Sequence, residues 1–347
     1  GGALAVDRTL FSERVGERIS THPLITIERI EVLDLPKEPA IIATGPLTSP
    51  GLHATFQSLL GEEALSFFDA VAPVVAADSL VHDRLFRASR YDKGDGADYL
   101  NAPLNREQYE AFIDQLLAAE RVDFKQFEQE DISFFEGCLP IEVMAERGRD
   151  TLRFGPMKPV GLIDPKTGLR PWAVVQLRQD DLAADHWNLV GFQTKLKQIE
   201  QKRVLRMIPG LEEARFARFG MVHRNTYINA PAHIDPLLRL VQKPAIRVAG
   251  QMTGVEGYVE SAATGLMAGR TLASEFKGES PQAPPAETAM GGLIRHLTER
   301  PAAGFQPSNI TWGLLRCPED LRRIRSKRER RAAQAERALE LIGGWGV

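Results

Sequence analysis

Residues 23–49, PLITIERIEVLDLPKEPAIIATGPLTS, alternate strand-like runs with turns. The β-branched Ile25, Ile27, Ile30 and Val32 mark the first run. Ala40-Ile41-Ile42-Ala43 is a short apolar run, read as a buried strand that ends in Thr44-Gly45-Pro46. The long middle, residues 61–237, mixes aromatic and charged residues and predicts helices. NREQYEAFIDQLLAAE is one, with Asn105 as its N-cap, and NLVGFQTKLKQIEQKRVLRMI is another.

A cleaner pattern follows in PAIRVAGQMTGVEGYVESAATGLMAGRTLASEF, residues 244–276. Ala245 to Ala249 reads as a strand. Gly250, Gly254 and Gly257 form a glycine-rich turn. Val259 onward reads as a helix carrying small residues at Ala262, Ala263, Gly265, Ala268 and Gly269. Residues 279–290 read as a linker, and the tail from Arg316 to Arg337 is basic and helix-prone. No internal repeat is visible.

Composition changes this picture little. An apolar fraction of 43% with 26% charged residues is that of an ordinary globular protein. The net charge of -3 excludes a polycation, so nucleic-acid contact requires a local basic patch. Two cysteines make no disulfide framework and no CxxC pair, which predicts a cytoplasmic, reducing setting. No apolar run reaches the roughly 18 residues of a membrane span, and no signal peptide or metal motif is evident.

Strand, glycine turn and helix N-terminus together form an arrangement that accepts phosphate. Glycine lets the backbone approach closely, and the first helical N–H groups face the anion. The same turn also serves as a tight structural connection. A second strand ends in a glycine turn at ATG, and such pairs flank the dinucleotide in flavoproteins built on two dinucleotide folds. The candidate cofactor-binding residues are therefore Thr44, Gly45, Gly250, Gln251, Met252, Thr253, Gly254, Val255, Gly257 and Tyr258. Tyr258 either stacks near a bound ring or packs against the turn.

Cys138, in FEGCLPIE, is either a buried small hydrophobe or a reactive thiol. Its surroundings resemble a known family. GGALAVDR, ATGPLTS, SRYDKGDGADYLNAPLNREQYEAF, FFEGCLPIEVMAERGRDTLRFGPMKPVGL, VQLRQDD, NLVGFQTKLK, FGMVHRNTYINAP and GQMTGVEGYVESAATGLMAG all match. Together they resemble the folate- and FAD-dependent tRNA uracil-5-methyltransferases (TrmFO). The likeness runs from residue 1 to about residue 315 and is most specific around Cys138.

The resemblance implies an α/β fold. A two-part, Rossmann-like FAD-binding domain of the glutathione-reductase type spans residues 1–60 and 238–347, ending in a helical tail. It is interrupted by an α+β insertion domain at residues 61–237. The resemblance also implies a reaction. The methylene carbon of 5,10-methylenetetrahydrofolate passes, by way of reduced flavin, to C5 of the T-loop uridine of tRNA, giving 5-methyluridine. NADPH or NADH is the reductant. The implied ligands are FAD, folate, a nicotinamide dinucleotide and tRNA.

The family places a catalytic thiol in this FEGC segment, which makes Cys138 the candidate nucleophile. Uracil C5 is a poor nucleophile, and thiolate addition at C6 converts the ring to an enolate whose C5 attacks carbon. A free thiol, with pKa near 8.5, needs positive charge nearby for activation. Arg147, Arg149, Arg153 and Lys158 follow within twenty residues. They either supply that charge or contact tRNA phosphates or the folate glutamate tail. His223 in HRNTYIN is a further candidate for the active site, or a structural histidine. Arg322 and Arg323 belong to a basic run that either binds the tRNA backbone or forms a solvated helix face.

Several features depart from the family. QPSN (residues 306–309) replaces QPMN, and GLLRCPED replaces the usual GLLPPL. Cys317 falls in this departing segment and reads as incidental. The chain starts at Gly1-Gly2-Ala3 without the family's first glycine loop or its second thiol, both expected upstream in a longer protein. Two other readings stand beside the methyltransferase. One is a related flavoprotein that modifies tRNA uridine, and the other is a non-catalytic, truncated tRNA-binding remnant.

Overall fold

The computed structural model describes residues 6–37, 39–61, 66–92, 97–122, 139–181 and 183–345. The N-terminal stretch gives α1 (Arg8–Ser20), β1 (Ala40–Ile42) and α2 (Pro50–Leu60). Strands dominate the next part: β2 (Ser66–Val71), β3 (Val74–Ala76), β4 (Phe86–Arg87) and β5 (Tyr99–Leu104). Helices α3 (Arg106–Ala118), α4 (Ile141–Glu146) and α5 (Thr151–Phe154) follow. Then come β6 (Ala173–Gln179), β7 (His186–Leu189), α6 (Gln198–Leu205), β8 (Phe216–Arg218) and β9 (Met221–Thr226). The remainder is α7 (Ala230–His233), β10 (Arg239–Leu240), β11 (Lys243–Val248), α8 (Tyr258–Phe276), α9 (Ala289–Glu299), α10 (Glu319–Arg322) and α11 (Lys327–Gly343).

The chain divides into two compact units. One comprises Gly1–Arg29 and Phe68–His223, the other Ile30–Phe67 and Arg224–Val347.

The first unit is built on a six-stranded sheet of order β4-β5-β6-β7-β3-β8, antiparallel at every pair. Strand β6 buries its first five residues in a row, so it is a central strand with both faces covered. Helix α3 packs Tyr109, Phe112, Ile113 and Leu116 into the same core as Leu100, Ala102, Val175 and Leu177. That i, i+3, i+4, i+7 spacing makes one apolar stripe. The helix starts where the sequence predicts. Asn105 Oδ1 accepts the Gln108 N–H at 2.8 Å, and Gln108 Oε1 accepts the Asn105 N–H at 2.9 Å, a complete capping box.

The second unit contains a three-stranded sheet of order β1-β11-β10. Strands β1 and β11 run parallel, with Ala40 opposite Ile246 and Ile42 opposite Val248. The predicted strands at residues 40–43 and 245–249 are thus neighbours, although about 200 residues separate them. Helix α8 is fixed to this sheet through Arg247, which is fully buried on β11. Its Nε donates to Thr271 Oγ1 at 3.2 Å, and its Nη2 lies 2.7 Å from Glu275 Oε1.

Two local expectations are corrected. Residues 25–32 form no strand. Ile25, Ile27, Ile30 and Val32 are 44–69% exposed, and no described strand pairs with them, so β-branched residues alone yield no ladder. The helix expected from Asn188 onward begins only at Gln198. Asn188 and Leu189 finish β7, and Gly191 then turns the chain at φ 75°. The basic tail is helical, as α10 and α11. Among the described residues, no helix is long and apolar enough to cross a membrane.

Candidate functional site

The two glycine turns meet at the carboxyl ends of β1 and β11. Thr44 Oγ1 donates to Met252 Sδ at 2.8 Å and lies 2.7 Å from Thr48 Oγ1. Thr48 Oγ1 is also 3.3 Å from Met252 Sδ. The Ala249 N–H donates to Ile42 O at 2.9 Å and the Ile228 N–H to Met252 O at 2.7 Å. Thr44, Gly45 and residues 250–258 are thus brought together within one unit, at the edge where open α/β sheets take their ligands.

The glycines divide by role. Gly45 (φ 74°) has nothing within 4 Å of where a Cβ would stand, and at Gly250 (φ 75°) the nearest atom is Ser261 Cβ at 4.0 Å. Their backbones face open space, a cradle that side chains would fill. A Cβ on Gly254 (φ 92°) would lie 2.5 Å from Phe305 Cζ, and one on Gly257 (φ 108°) 2.3 Å from Glu260 Oε2. Those two are glycine because neighbouring side chains leave no room. The predicted turn is therefore a tight structural connection at Gly254 and Gly257 and leaves open backbone at Gly250, as Gly45 does in its own turn.

Met252, Thr253 and Val255 are fully buried and build the frame of the turn. Thr253 Oγ1 donates to Gly250 O at 2.8 Å, and Gln251 Nε2 donates to Glu256 Oε2 at 2.7 Å. Tyr258 opens α8 and is 97% exposed, so it does not pack against the turn. The first N–H groups of α8 have no intrahelical acceptor, and this 19-residue helix adds its dipole, so the end of the turn favours an anion. Open glycine backbone beside a helix N-terminus suits a dinucleotide pyrophosphate or a flavin ring that carries negative charge.

Sequence reasoning missed the strap that holds this turn. Residues 308–310 run beside it. The Ser308 N–H donates to Gly254 O at 3.1 Å, and the Glu256 N–H to Ser308 O at 3.0 Å. Asn309 Nδ2 donates to Glu256 O at 2.8 Å, and Glu260 Oε1 accepts the Ile310 N–H at 3.0 Å. The only sequence signal was QPSN, the stretch at Gln306 to Asn309 noted for its departure from the family. Behind the turn, His296 packs on Phe305 with ring centroids 5.1 Å apart, and burial, aided by the Arg300 charge, pushes its imidazole below the ordinary value of 6.5.

Cys138 lies outside the described residues. The chain directly after it is firmly held. Leu139 and Ile141 are buried, and the Ile141 N–H donates to Gln193 O at 2.8 Å. Glu142 is fully buried. Its Oε1 accepts the Lys195 N–H at 2.7 Å and its Oε2 the Thr194 hydroxyl at 2.9 Å. Burial raises its carboxyl above the ordinary 4.5, and those hydrogen bonds offset part of the rise.

The basic residues after Cys138 are largely engaged. Arg149 pairs with Asp114 at 2.6 Å. Arg153 pairs with Asp150 at 3.0 Å, donates from Nε to Trp172 O at 3.0 Å, and lies 3.6 Å from the centroid of the Trp172 ring. Arg147 caps α4, and Lys158 is exposed. His223 lies on β9. Arg322 donates from Nε to Cys317 O at 3.2 Å, and Arg323 is an exposed C-cap. These cations fall in both units: Arg147 to Lys158 in the first, Arg322 and Arg323 in the second.

Known proteins resemble this chain throughout. The family model described as glucose inhibited division protein A matches residues 1–280. A methylenetetrahydrofolate--tRNA-(uracil-5-)-methyltransferase TrmFO of Geobacter sulfurreducens is 55% identical over 346 residues, 99% of this chain and 78% of the relative. The protein of the same name from Rhodospirillum rubrum is 55% identical over 359 residues, 99% of this chain and 74% of the relative. Among solved structures, Aquifex aeolicus GidA in two crystal forms gives TM-scores of 0.62 and 0.60 at 16% and 15% identity. Each match covers 84% of this chain, which spans about half the GidA length, 54% and 52%. The fold class expected from the sequence agrees with these neighbours.

Proposed function

The chain belongs to the methylenetetrahydrofolate–tRNA-(uracil-5-)-methyltransferase family, and from that premise we propose that it moves the methylene carbon of 5,10-methylenetetrahydrofolate to C5 of the T-loop uridine of tRNA. The product is 5-methyluridine. The observation that carries this reading is the 55% identity over 99% of the chain to the Geobacter sulfurreducens relative. The paired glycine turns supply a physical basis for it.

FAD is the cofactor of this reading; when bound it supplies the two-electron chemistry of the transfer, and NADPH or NADH supplies the electrons. The backbone at Thr44-Gly45 and Gly250-Gln251 lets the dinucleotide approach, and the N-terminus of α8 favours negative charge beside it. The frame of Met252, Thr253 and Val255 and the strap at 308–310 hold that backbone in shape. We assign residues 1–60 and 238–347 to the FAD-binding domain and 61–237 to the insertion domain.

Cys138 is the proposed nucleophile. Its thiolate bonds to uracil C6 and pushes an electron pair into the ring, which makes C5 nucleophilic toward the incoming carbon. Loss of the C5 proton and expulsion of the thiolate then restore the ring. Glu142, four residues on, anchors the chain that leaves Cys138. Arg147, Arg149, Arg153, Lys158, His223, Arg322 and Arg323 are the proposed contacts to tRNA or folate. A protein acting on tRNA with folate and reduced nicotinamide works in the cytoplasm, and only two cysteines in 347 residues fit that setting.

The test is an assay with FAD, NADPH, methylenetetrahydrofolate and unmodified tRNA transcript, read by nucleoside analysis. Wild type should form 5-methyluridine and Cys138→Ala should form none. Full activity of Cys138→Ala would remove the thiol from the mechanism.

A further inference from the structure

A cavity of about 690 Å³ opens in the first unit, remote in sequence from the glycine turns. Its walls come from the end of β5 and start of α3, from the loop after α5, and from residues 164–172. Four cationic side chains line it: Arg106, Arg153, Lys158 and Arg170. The one acid among its lining residues, Asp164, is 9% exposed and spends Oδ1 on the Lys166 N–H at 2.9 Å.

The cations differ in how they are committed. Arg106 is held by Glu110 at 2.7 Å and Arg153 by Asp150 and the Trp172 ring. Lys158 and Arg170 are exposed and make no side-chain ion pair among the described residues. Phe154 stands at the same cavity with 81% of its surface in water. Phe154 thus offers an open ring face beside two uncommitted cations at one cavity.

We propose that this cavity binds a nucleotide of the RNA substrate, with a base stacked on Phe154 and the adjoining phosphates on Lys158 and Arg170. Stacking needs only the face of a ring and suits unpaired or splayed bases, while flexible cations track the backbone. The paired Arg106 and Arg153 hold the cavity wall rigid around Trp172. This proposal rests on the reading of tRNA as substrate.

The experiment measures binding of unmodified tRNA transcript to wild type, Phe154→Ala, the double variant Lys158→Ala/Arg170→Ala, and a control, Arg218→Ala, which removes an exposed charge on β8 outside the cavity. Thermal melting establishes that each variant is folded. Phe154→Ala should raise Kd at least about fivefold. The double variant should weaken binding and flatten the slope of log Kd against log salt by about one to two units. Arg218→Ala should match wild type, and Lys158→Arg should restore most of the affinity. Unchanged Kd and salt slope in both cavity variants would overturn the assignment. So would an unchanged RNA affinity with a raised KM for methylenetetrahydrofolate, which would make the cavity a folate site. Failure of wild type itself to form 5-methyluridine would instead overturn the methyltransferase reading.

Discussion

Thr44 and Met252, 208 residues apart in sequence, touch through a 2.8 Å contact from hydroxyl to sulfur. That contact fastens the turn after β1 to the turn after β11 and brings the two distant segments of the candidate site together. Its consequence is a division of labour among glycines, which substitutions resolve.

Gly250→Ala should leave a folded protein with weaker flavin binding. An L residue at φ 75° costs about 1–2 kcal/mol, and the added methyl enters open space that a cofactor would occupy. Gly254→Ala adds overpacking against Phe305, about 1–3 kcal/mol more, and should lower Tm further. Flavin absorbance after gel filtration and thermal melting separate the two effects. Equal melting temperatures would contradict the division.

Glu275→Ala should destabilise the second unit by about 3 kcal/mol. It leaves the guanidinium of Arg247, fully buried, without its carboxylate partner. Urea denaturation measures the loss, and a change under about 1 kcal/mol would show that the pair contributes little.

Glu142→Ala should cost about 1–3 kcal/mol, because the buried Thr194 hydroxyl and the part-buried Lys195 N–H lose the carboxylate as acceptor. Glu142→Gln keeps an acceptor and should cost less. The pH dependence has a definite sign. The carboxyl is raised in the folded state, so its contribution to stability is full below the unfolded value of 4.5 and is lost as pH rises through the folded one. The stability of Glu142→Gln relative to wild type should therefore rise with pH across that window, as read by denaturation at several pH values.

Asn105→Ala should cost about 1 kcal/mol by removing one half of the capping box on α3. Denaturant titration checks it, and no change would mean that solvent caps the helix equally well.

The parts of the molecule that rest on local signals were readable in the chain. Asn105 caps α3, and Ala245 to Ala249 overlaps β11, because capping chemistry and glycine punctuation act within a few residues. Ile25 to Val32 shows the limit. β-Branched residues predict a strand, but a strand also needs a partner, and pairing is a long-range property. The six-stranded sheet of the first unit escaped strand-by-strand assignment for a related reason. Its central strand β6 buries consecutive residues, so it lacks the alternating signature. At the site, the glycines were legible, whereas the strap at Ser308 to Ile310 was not, since its hydrogen bonds to Gly254 and Glu256 bridge about 50 residues. Phe154 and Arg170 gave no signal of their own, and only their convergence on one cavity with Lys158 singles them out.

The central claim is that the methyl carbon of the product comes from folate. Incubation with tRNA transcript, FAD, NADPH and methylenetetrahydrofolate labelled with carbon-13 at the methylene group tests it, with mass spectrometry of the digested nucleosides. The account predicts 5-methyluridine one mass unit heavier than with unlabelled folate. Product of unshifted mass, or uridine left unmethylated by protein that retains its flavin, would contradict it.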